Sequence, residues 1–248
     1  MARRSDTLDD IETTGPTGSR RRGHPLRRAL RWCGGWARWI GLRLLALMFV
    51  LVFLFSFVNP PTTWTIVAGQ AEYPGKDREW TDIDGIAPDM VRAVVAAEDA
   101  NFCAHWGFDM SEIRKVIASG SSRGASTITQ QTAKNVFLWQ GRSWPRKVLE
   151  TVYTPMLEAL WSKRRIAEVY LNVAEFGRGV FGVHAAAAYY YKTTPDRLTT
   201  GQAAALASIL PAPRERNPQT GSARTRAIVS GIRTIQADGR DACLVLGH

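Results

Sequence analysis

Hydrophobic residues follow two different patterns along this chain. Residues 39–58 form an apolar run that contains a single charged residue, Arg43. Twenty residues of α-helix rise about 30 Å, which is the thickness of the hydrocarbon core of a bilayer. The run therefore predicts one transmembrane helix, in which the long side chain of Arg43 can reach the headgroups from the first turn.

The pattern changes near residue 88, where apolar residues such as Met90, Val91, Val94 and Val95 recur at the spacing of an amphipathic helix. Periodicity, caps and prolines predict helices over 88–97, from 126 or 127 onward, and over 145–161, 166–173, 184–191, 198–210 and 225–237. Residues 59–80 are expected to form a connector with short extended pieces over 62–68. Because no alternating strand series is visible, we expect a mainly α domain.

The net charge of +10 on 248 residues is concentrated at the N-terminus. Residues 1–43 hold ten arginines and four acidic residues, which makes +6 and leaves +4 for the rest of the chain. Arginines before an apolar span place the N-terminus in the cytoplasm, and Trp32, Trp36 and Trp39 suit an aromatic belt at the interface. We attribute the basic tail to membrane topology, with some attraction to anionic lipid, and expect no nucleic-acid partner.

Two other interpretations of the apolar run are weaker. A cleaved signal peptide has a shorter apolar core followed by a small-x-small site, and no such site directly follows this run. A soluble core helix rarely follows an arginine-rich tail. The sequence thus predicts a cytoplasmic basic tail (1–38), a transmembrane helix (39–58), a connector (59–80) and an extracytoplasmic domain (81–248).

Cysteine usage adds one hypothesis. The topology places Cys33 on the inner side of the membrane, and Cys103 and Cys243 on the outer side, where disulfides persist. A Cys103–Cys243 bridge would tie the C-terminal tail to the domain. Two buried thiols are an equally weighted alternative.

Three polar stretches are candidates for chemistry. In residues 98–109, Glu98 follows an apolar helix, and a carboxylate at the edge of an apolar wall can serve as acid or base. In residues 124–135, a capped helix start would present free backbone N–H groups, with Gln130 and Lys134 on one face, as suits a phosphate or sugar. Four histidines spread over the chain give no zinc spacing.

The third stretch, residues 142–150, combines Arg142, Arg146, Lys147 and Glu150. These residues could surround an anionic leaving group, or they could form a solvated helix face with an Arg146–Glu150 pair. Ordinary solvated or capped surface structure is likewise the alternative for the first two stretches.

Together the three stretches resemble the peptidoglycan glycosyltransferases (glycosyltransferase family 51), whose five motifs occur here in order. The motifs are Glu98-Asp99 with Phe102, His105 and Gly107-Phe108-Asp109; Gly124 to Gln131 with Lys134-Asn135; Arg146 to Glu150; Ile166 to Asn172 with Gly177 to Gly182 and Ala185 to Ala187; and Ala203 to Ala207 with Leu210 to Pro213 and Asn217-Pro218. The match covers roughly residues 80–220. Since no Ser-x-x-Lys transpeptidase module follows, the monofunctional type is expected.

The resemblance implies a mainly α, lysozyme-like fold with a small jaw subdomain, and an enzyme that joins lipid II units. The donor is the growing glycan on undecaprenyl diphosphate, and the new β-1,4 bond forms with inversion. By motif position, Glu98 matches the general base and Glu150 the second essential carboxylate. Residues matched to substrate binding are Lys134 and Arg142 with Arg146 and Lys147 at the diphosphate, and Ser126, Thr127, Gln130 and Gln131 in the polar lining.

Further expectations also come from the resemblance. No cofactor is required with certainty, but a divalent cation, Mg²⁺ or Mn²⁺, is left open at the diphosphate, with Glu150 as its candidate ligand. Asp99 and His105 are expected to be local hydrogen-bonding partners, and Gly177, Gly179 and Gly182 to serve backbone geometry. Expected partners are lipid II, membrane lipid and, as candidates, other cell-wall synthesis proteins. The expected location is the bacterial inner membrane, with the catalytic domain in the periplasm.

Two residues depart from the family pattern. Ala125 stands where a second glycine is usual, and Gln202 stands where an acid is often found. Two other functions remain open. One is a lytic transglycosylase or lysozyme-type hydrolase, which would need no diphosphate site, and the other is a non-catalytic membrane-anchored scaffold.

Overall fold

The computed structural model describes residues 25–74, 78–120, 124–141 and 143–246. By its contacts the chain divides into two compact units, residues 1–46 and 47–248, which are described separately. Helix α1 (Pro25–Phe57) runs across the boundary. Its segment Gly34–Phe57 is long and apolar enough to cross a membrane, and only 6% of its most apolar window is buried.

Aromatic contacts organise the first unit. The rings of Trp32 and Trp36 meet edge to face at 5.8 Å, and those of Trp36 and Trp39 at 5.6 Å. The guanidinium of Arg43 lies 3.7 Å from the centre of the Trp39 ring. This cation–π contact places the single charge of the apolar run beside the tryptophans that the sequence assigns to an interfacial belt.

The second unit is mainly α, as predicted. After α1 its elements are α2 (Trp64–Glu72), α3 (Pro88–Glu98), α4 (Met110–Ser119), α5 (Ile128–Phe137), α6 (Trp144–Leu160), α7 (Lys163–Val173), β1 (Glu175–Gly177), β2 (Val180–Phe181), α8 (Gly182–Tyr191), α9 (Thr200–Ile209) and α10 (Ala223–Asp238). Short 3₁₀ turns occur at Ile83–Gly85, Pro195–Arg197 and Ala242–Leu244. Strands β1 and β2 form a small antiparallel hairpin. The helices predicted from residue 88 onward are confirmed, with ends that agree to within three residues.

The connector was predicted wrongly, because residues 64–72 form a helix and not extended pieces. Thr63 caps this helix by accepting a hydrogen bond from the Ile66 N–H at 3.3 Å. Ile66 is buried, and Gly69 lies so close to Phe181 that a Cβ there would come within 2.3 Å of the ring. Capping and packing therefore override the β-branched residues that favoured extension.

Helix α4 was missed by the sequence analysis. Asp109 caps it, since its carboxylate accepts from the backbone N–H groups of Ser111 and Glu112 at 2.9 and 3.0 Å. No residue of α4 is buried. The Asp109-x-x-Glu112 spacing is a helix-start signal that was available in the sequence.

Two groups of helices build the core. Helix α3 packs on α9 and α10, while α5 packs on α6 and α7. The alanines of α9, residues 203–205 and 207, are fully buried, because their small side chains let neighbouring helices approach closely. Gly179 and Gly182 have φ of +72° and +83°, and a Cβ on either would come within 2.9 Å of backbone, which confirms their geometric role.

The last turns of α1 belong to this core. Trp161 Nε1 donates to the Val52 carbonyl at 2.7 Å, and Val52 is fully buried. Arg165 donates to the carbonyls of Phe55 and Val58, at 3.1 and 3.0 Å, and so satisfies acceptors that the end of a helix leaves unpaired. Residues 47–57 are therefore held against the rest of the second unit by side chains of α7 and of the turn before it.

The C-terminal tail is also fastened to the unit. Cys103 and Cys243 form a disulfide with their Cα atoms 5.6 Å apart, which confirms the bridge and not the two-thiol alternative. Asp241 accepts from the buried Arg92 at 2.7 Å, and Leu244 is fully buried. The chain beyond α10 is thus part of the folded unit.

Candidate active site

Glu98 is the last residue of α3, whose preceding turns are buried. Gln131 on α5 donates through Nε2 to Glu98 Oε2 at 2.8 Å, and the hydroxyl of the buried Tyr170 donates to Gln131 Oε1 at 3.2 Å. Burial raises the pKa of the Glu98 carboxyl, while the hydrogen bond from Gln131 and the charges of Arg224 and Lys134 act against the rise. The geometry thus supplies a held carboxylate that is a stronger base than an exposed one.

Asp99, the residue after Glu98, forms a hydrogen-bonded pair with His105. One oxygen of Asp99 lies 2.8 Å from His105 Nε2, and the other accepts from the Ile128 N–H at 3.0 Å, at the start of α5. Asp99 is buried. The expectation that these two residues are local hydrogen-bonding partners is therefore confirmed.

The start of α5 is a capping box. The Thr127 hydroxyl accepts from the Gln130 N–H at 3.2 Å, and Gln130 Oε1 accepts from the Thr127 N–H at 3.0 Å. The same hydroxyl donates to the Gly107 carbonyl at 2.7 Å. Both residues are buried, whereas Ser126 and Gln131 are half-buried. Thr127 and Gln130 therefore hold the helix start, and Ser126 and Gln131 are the members of the predicted polar lining with exposed surface.

A buried ion-pair cluster lies on α6. Glu150 is 3% exposed; it accepts from Arg146 Nη1 at 2.9 Å and forms a close ion pair with Lys147. The alternative of a solvated face is wrong for Arg146 and Glu150, because both are buried. Arg146 Nε is buried without a hydrogen-bond partner among the described residues. Arg142 lies outside the described residues.

Lys134 connects the two parts of the site. Its ammonium interacts electrostatically with Glu150, Arg146, Lys147 and Glu98. Burial lowers the pKa of Lys134, against the attraction of the two carboxylates. It makes no hydrogen bond or ion pair within the described part of the chain. A half-buried ammonium that pairs with neither carboxylate is suited to bind an anionic group of a ligand.

Sequence reasoning missed Arg224 as a site residue. This residue lies in the first turn of α10, near enough to Glu98 to favour its ionised form. Its Nε donates to the Ser208 carbonyl at 3.0 Å, and both residues line a cavity of about 450 Å³ together with Asn217, Gln219 and Ser222. Because α10 is distant in sequence from α3, only the packing of the two helices brings the pair together.

Gln202 stands at the position where the family pattern often has an acid. Its side chain closes a capping box at the start of α9 by accepting from the Thr199 N–H at 3.0 Å. A neutral amide suffices for that contact. The departure from the family pattern therefore leaves the arrangement around Glu98 intact.

The site brings a carboxylate of raised pKa near a cationic cluster formed by Lys134, Arg146 and Lys147, an arrangement that suits group transfer. A family model described as Transglycosylase matches residues 67–234. The chain belongs to this transglycosylase family. The resemblance drawn from the motifs is thereby confirmed, and with it the class of peptidoglycan glycosyltransferase.

Curated relatives agree with this assignment. Three proteins named biosynthetic peptidoglycan transglycosylase are similar to this chain. The protein from Jannaschia sp. (strain CCS1) is 50% identical over 80% of this chain and 84% of its own length. The one from Marinomonas sp. (strain MWYL1) is 49% identical over 72% and 80%, and the one from Caulobacter vibrioides is 42% identical over 79% and 89%.

Proposed function

We propose that this chain polymerises peptidoglycan glycan strands from lipid II. The growing glycan on undecaprenyl diphosphate is transferred to the 4-hydroxyl of a lipid II acceptor, forming a β-1,4 bond with inversion. One observation carries the proposal: Lys134 is electrostatically coupled both to the basic carboxylate of Glu98 and to the cationic cluster around Glu150. A base and a diphosphate site are thus adjacent, and a hydrolase would need only the first.

Glu98 is the general base in this proposal. Its carboxylate takes the proton of the acceptor hydroxyl while that oxygen attacks the anomeric carbon of the donor. Gln131 donates a hydrogen bond to Glu98 Oε2, whereas Glu98 Oε1 accepts no hydrogen bond within the described residues. Oε1 is therefore the oxygen that takes the proton. The raised pKa favours this transfer, because a base works best when its pKa approaches the working pH.

The diphosphate leaves with the electron pair of the broken anomeric C–O bond. Lys134, the guanidinium of Arg146 and the half-exposed Lys147 supply positive charge where the negative charge develops. Glu150 holds Arg146 and Lys147 in place and is a positioning residue in this scheme. Attack and departure occur on opposite faces of the sugar, which gives inversion.

The residues around Glu150 do not suit a resident divalent cation. Each oxygen of Glu150 already faces a cationic side chain, Arg146 or Lys147. Among the described residues no group of three His, Cys, Asp or Glu side chains is placed to hold a metal. A cluster of three positive groups repels Mg²⁺ or Mn²⁺, so the chemistry above uses no protein-held metal.

We further propose that α1 anchors the enzyme in the bacterial inner membrane as a single span at residues 39–58. The basic residues 1–38 then lie in the cytoplasm, and residues 81–248 lie in the periplasm after a connector at 59–80. The apolar helix and the arginines before it support this topology. An anchored domain is suited to a substrate that carries its own lipid, and other cell-wall synthesis proteins are its candidate partners.

The test is polymerisation of labelled lipid II by the full-length protein in detergent. The wild type is expected to lengthen the glycan with and without a chelator, and Glu98→Gln should abolish elongation. Glu112→Gln, on the exposed helix α4, is the matched control and should retain activity. Degradation of preformed glycan would favour the hydrolase, an inert wild type would favour the scaffold, and full activity of Glu98→Gln would refute the mechanism.

A further inference from the structure

The segment that follows Glu98 is covalently tied to the C-terminal tail. Residues 99–105, here called the catalytic turn, carry Cys103, and its disulfide partner Cys243 lies 140 residues later in the tail at 239–246. The tail also contributes Arg240, whose Nη1 donates to the Ala100 carbonyl at 3.4 Å. Two contacts from the tail thus act on a turn whose first residue directly follows the proposed base.

The catalytic turn helps to position the residues around Glu98. Its first residue, Asp99, fixes the start of α5 through the Ile128 N–H, and α5 carries Gln131, which holds Glu98. Phe102 is fully buried, with the ammonium of Lys163 4.5 Å from its ring centre. A shift of the turn would therefore move both the end of α3 and the start of α5.

The inner side of the turn is braced without the tail. Lys163 Nζ donates to the His105 carbonyl at 2.7 Å, and Asn101 Nδ2 donates to Asp109 at 2.8 Å. Cys103 faces the tail and is half-buried, as is Cys243. The bridge is thus a covalent link between the tail and the outer side of the turn, and both of its cysteines are partly exposed to solvent.

We propose that oxidation of Cys103 and Cys243 by a thiol–disulfide exchange protein completes the active site, by fixing the catalytic turn and with it Glu98. One thiolate attacks the donor's disulfide and forms a mixed disulfide, which the second thiolate resolves. The S–S bond of the enzyme forms, the S–S bond of the donor breaks, and two electrons and two protons pass to the donor as its dithiol. This rests on the proposed function, since it places both thiols outside the cytoplasm and Glu98 at the reacting hydroxyl.

The test compares bridged and reduced full-length protein in a Cys33→Ser background, which leaves only these two cysteines. Mild dithiothreitol followed by iodoacetamide gives the reduced form, and mass spectrometry verifies it. Because a displacement of about 1 Å at a reacting group costs roughly 100-fold in rate, a smaller shift should lower kcat roughly tenfold. The KM for lipid II should change less than kcat, because Arg146 and Lys147 of the cationic cluster are held by Glu150 on α6 and not by the turn.

A second readout is independent of activity. Hydrogen exchange should accelerate in residues 99–105 and at the Ile128 amide when the bridge is reduced. Arg164→Ala is the matched control: it removes hydrogen bonds to the carbonyls of Leu244 and Val245 but keeps the bridge, so kcat should change less than about twofold. A similar loss in this variant would assign the effect to tail attachment in general and overturn the role of the bridge.

Unchanged kcat together with unchanged exchange in verified reduced protein would also overturn the proposal. The Cys103→Ser, Cys243→Ser double variant should behave like the reduced form. If the bridged protein failed to lengthen lipid II, the proposed function would be refuted, and the role of the bridge would be judged on its own. The exchange rates at residues 99–105 would then still decide whether the bridge fixes the turn.

Discussion

Replacing Arg146 by alanine should destabilise the folded unit more than any other single change in the cationic cluster. Arg146 is 10% exposed at its side chain and pairs with Glu150, which is 4% exposed. Removing one partner of a buried ion pair costs about 3–5 kcal/mol, because the remaining charge stays buried without full compensation. Since 1 kcal/mol shifts the melting temperature of a domain of this size by about 2–4 °C, Arg146→Ala should lower it by roughly 6–20 °C.

Lys147 provides the matched comparison. It contacts the same carboxylate, but its side chain is 42% exposed, so solvent screens the pair. Such a pair contributes about 1 kcal/mol or less, and Lys147→Ala should shift the melting temperature by no more than about 4 °C. Thermal unfolding by circular dichroism, in one detergent and at one pH, measures both variants.

The double variant Arg146→Ala, Glu150→Gln isolates the cause. If the stranded carboxylate is responsible, removing its charge should recover most of the stability that Arg146→Ala loses. Equal losses in Arg146→Ala and Lys147→Ala would refute the assignment of burial as the deciding factor. No recovery in the double variant would show that packing of the arginine stem, and not charge, accounts for the loss.

Four further predictions concern the base, the bridge and the anchor. The kcat/KM for lipid II should rise with pH as Glu98 ionises at its raised pKa and fall as Lys134 deprotonates at its lowered pKa; a flat profile would contradict both roles. Because the folded state raises the pKa of Glu98, the stability tied to its neutral form is lost as pH rises through that pKa, so Glu98→Gln should melt above the wild type at neutral pH and at the same temperature in acid. Loss of the disulfide, which closes a loop of 140 residues, should lower the free energy of unfolding by up to about 5 kcal/mol in urea titrations with and without reductant. Trp161→Phe removes the side-chain hydrogen bond to the Val52 carbonyl and should cost about 0.5–1.5 kcal/mol, whereas Trp144→Phe at an 85% exposed position should cost nothing measurable.

The features that the sequence predicts are mostly those that depend on residues close together in the chain. Helix α3 was predictable because its apolar residues repeat at helical spacing, and α5 because Thr127 is a strong cap. Glu98 stood out because a carboxylate ends an apolar helix. Helix α2 could not be predicted this way, since its β-branched residues favour extension and the Thr63 cap together with packing against Phe181 reverses that preference.

The features that the sequence does not predict depend on contacts between distant segments. The periodicity of the chain and its arginine-rich start were enough to predict an apolar anchor and a mainly α domain, because both depend on neighbours within a few residues. The raised pKa of Glu98, its coupling to Arg224 and the burial of Glu150 depend on which helices pack together. The electrostatic energy of a charge depends on its depth in the fold and on its neighbours there, and neither follows from spacing along the chain.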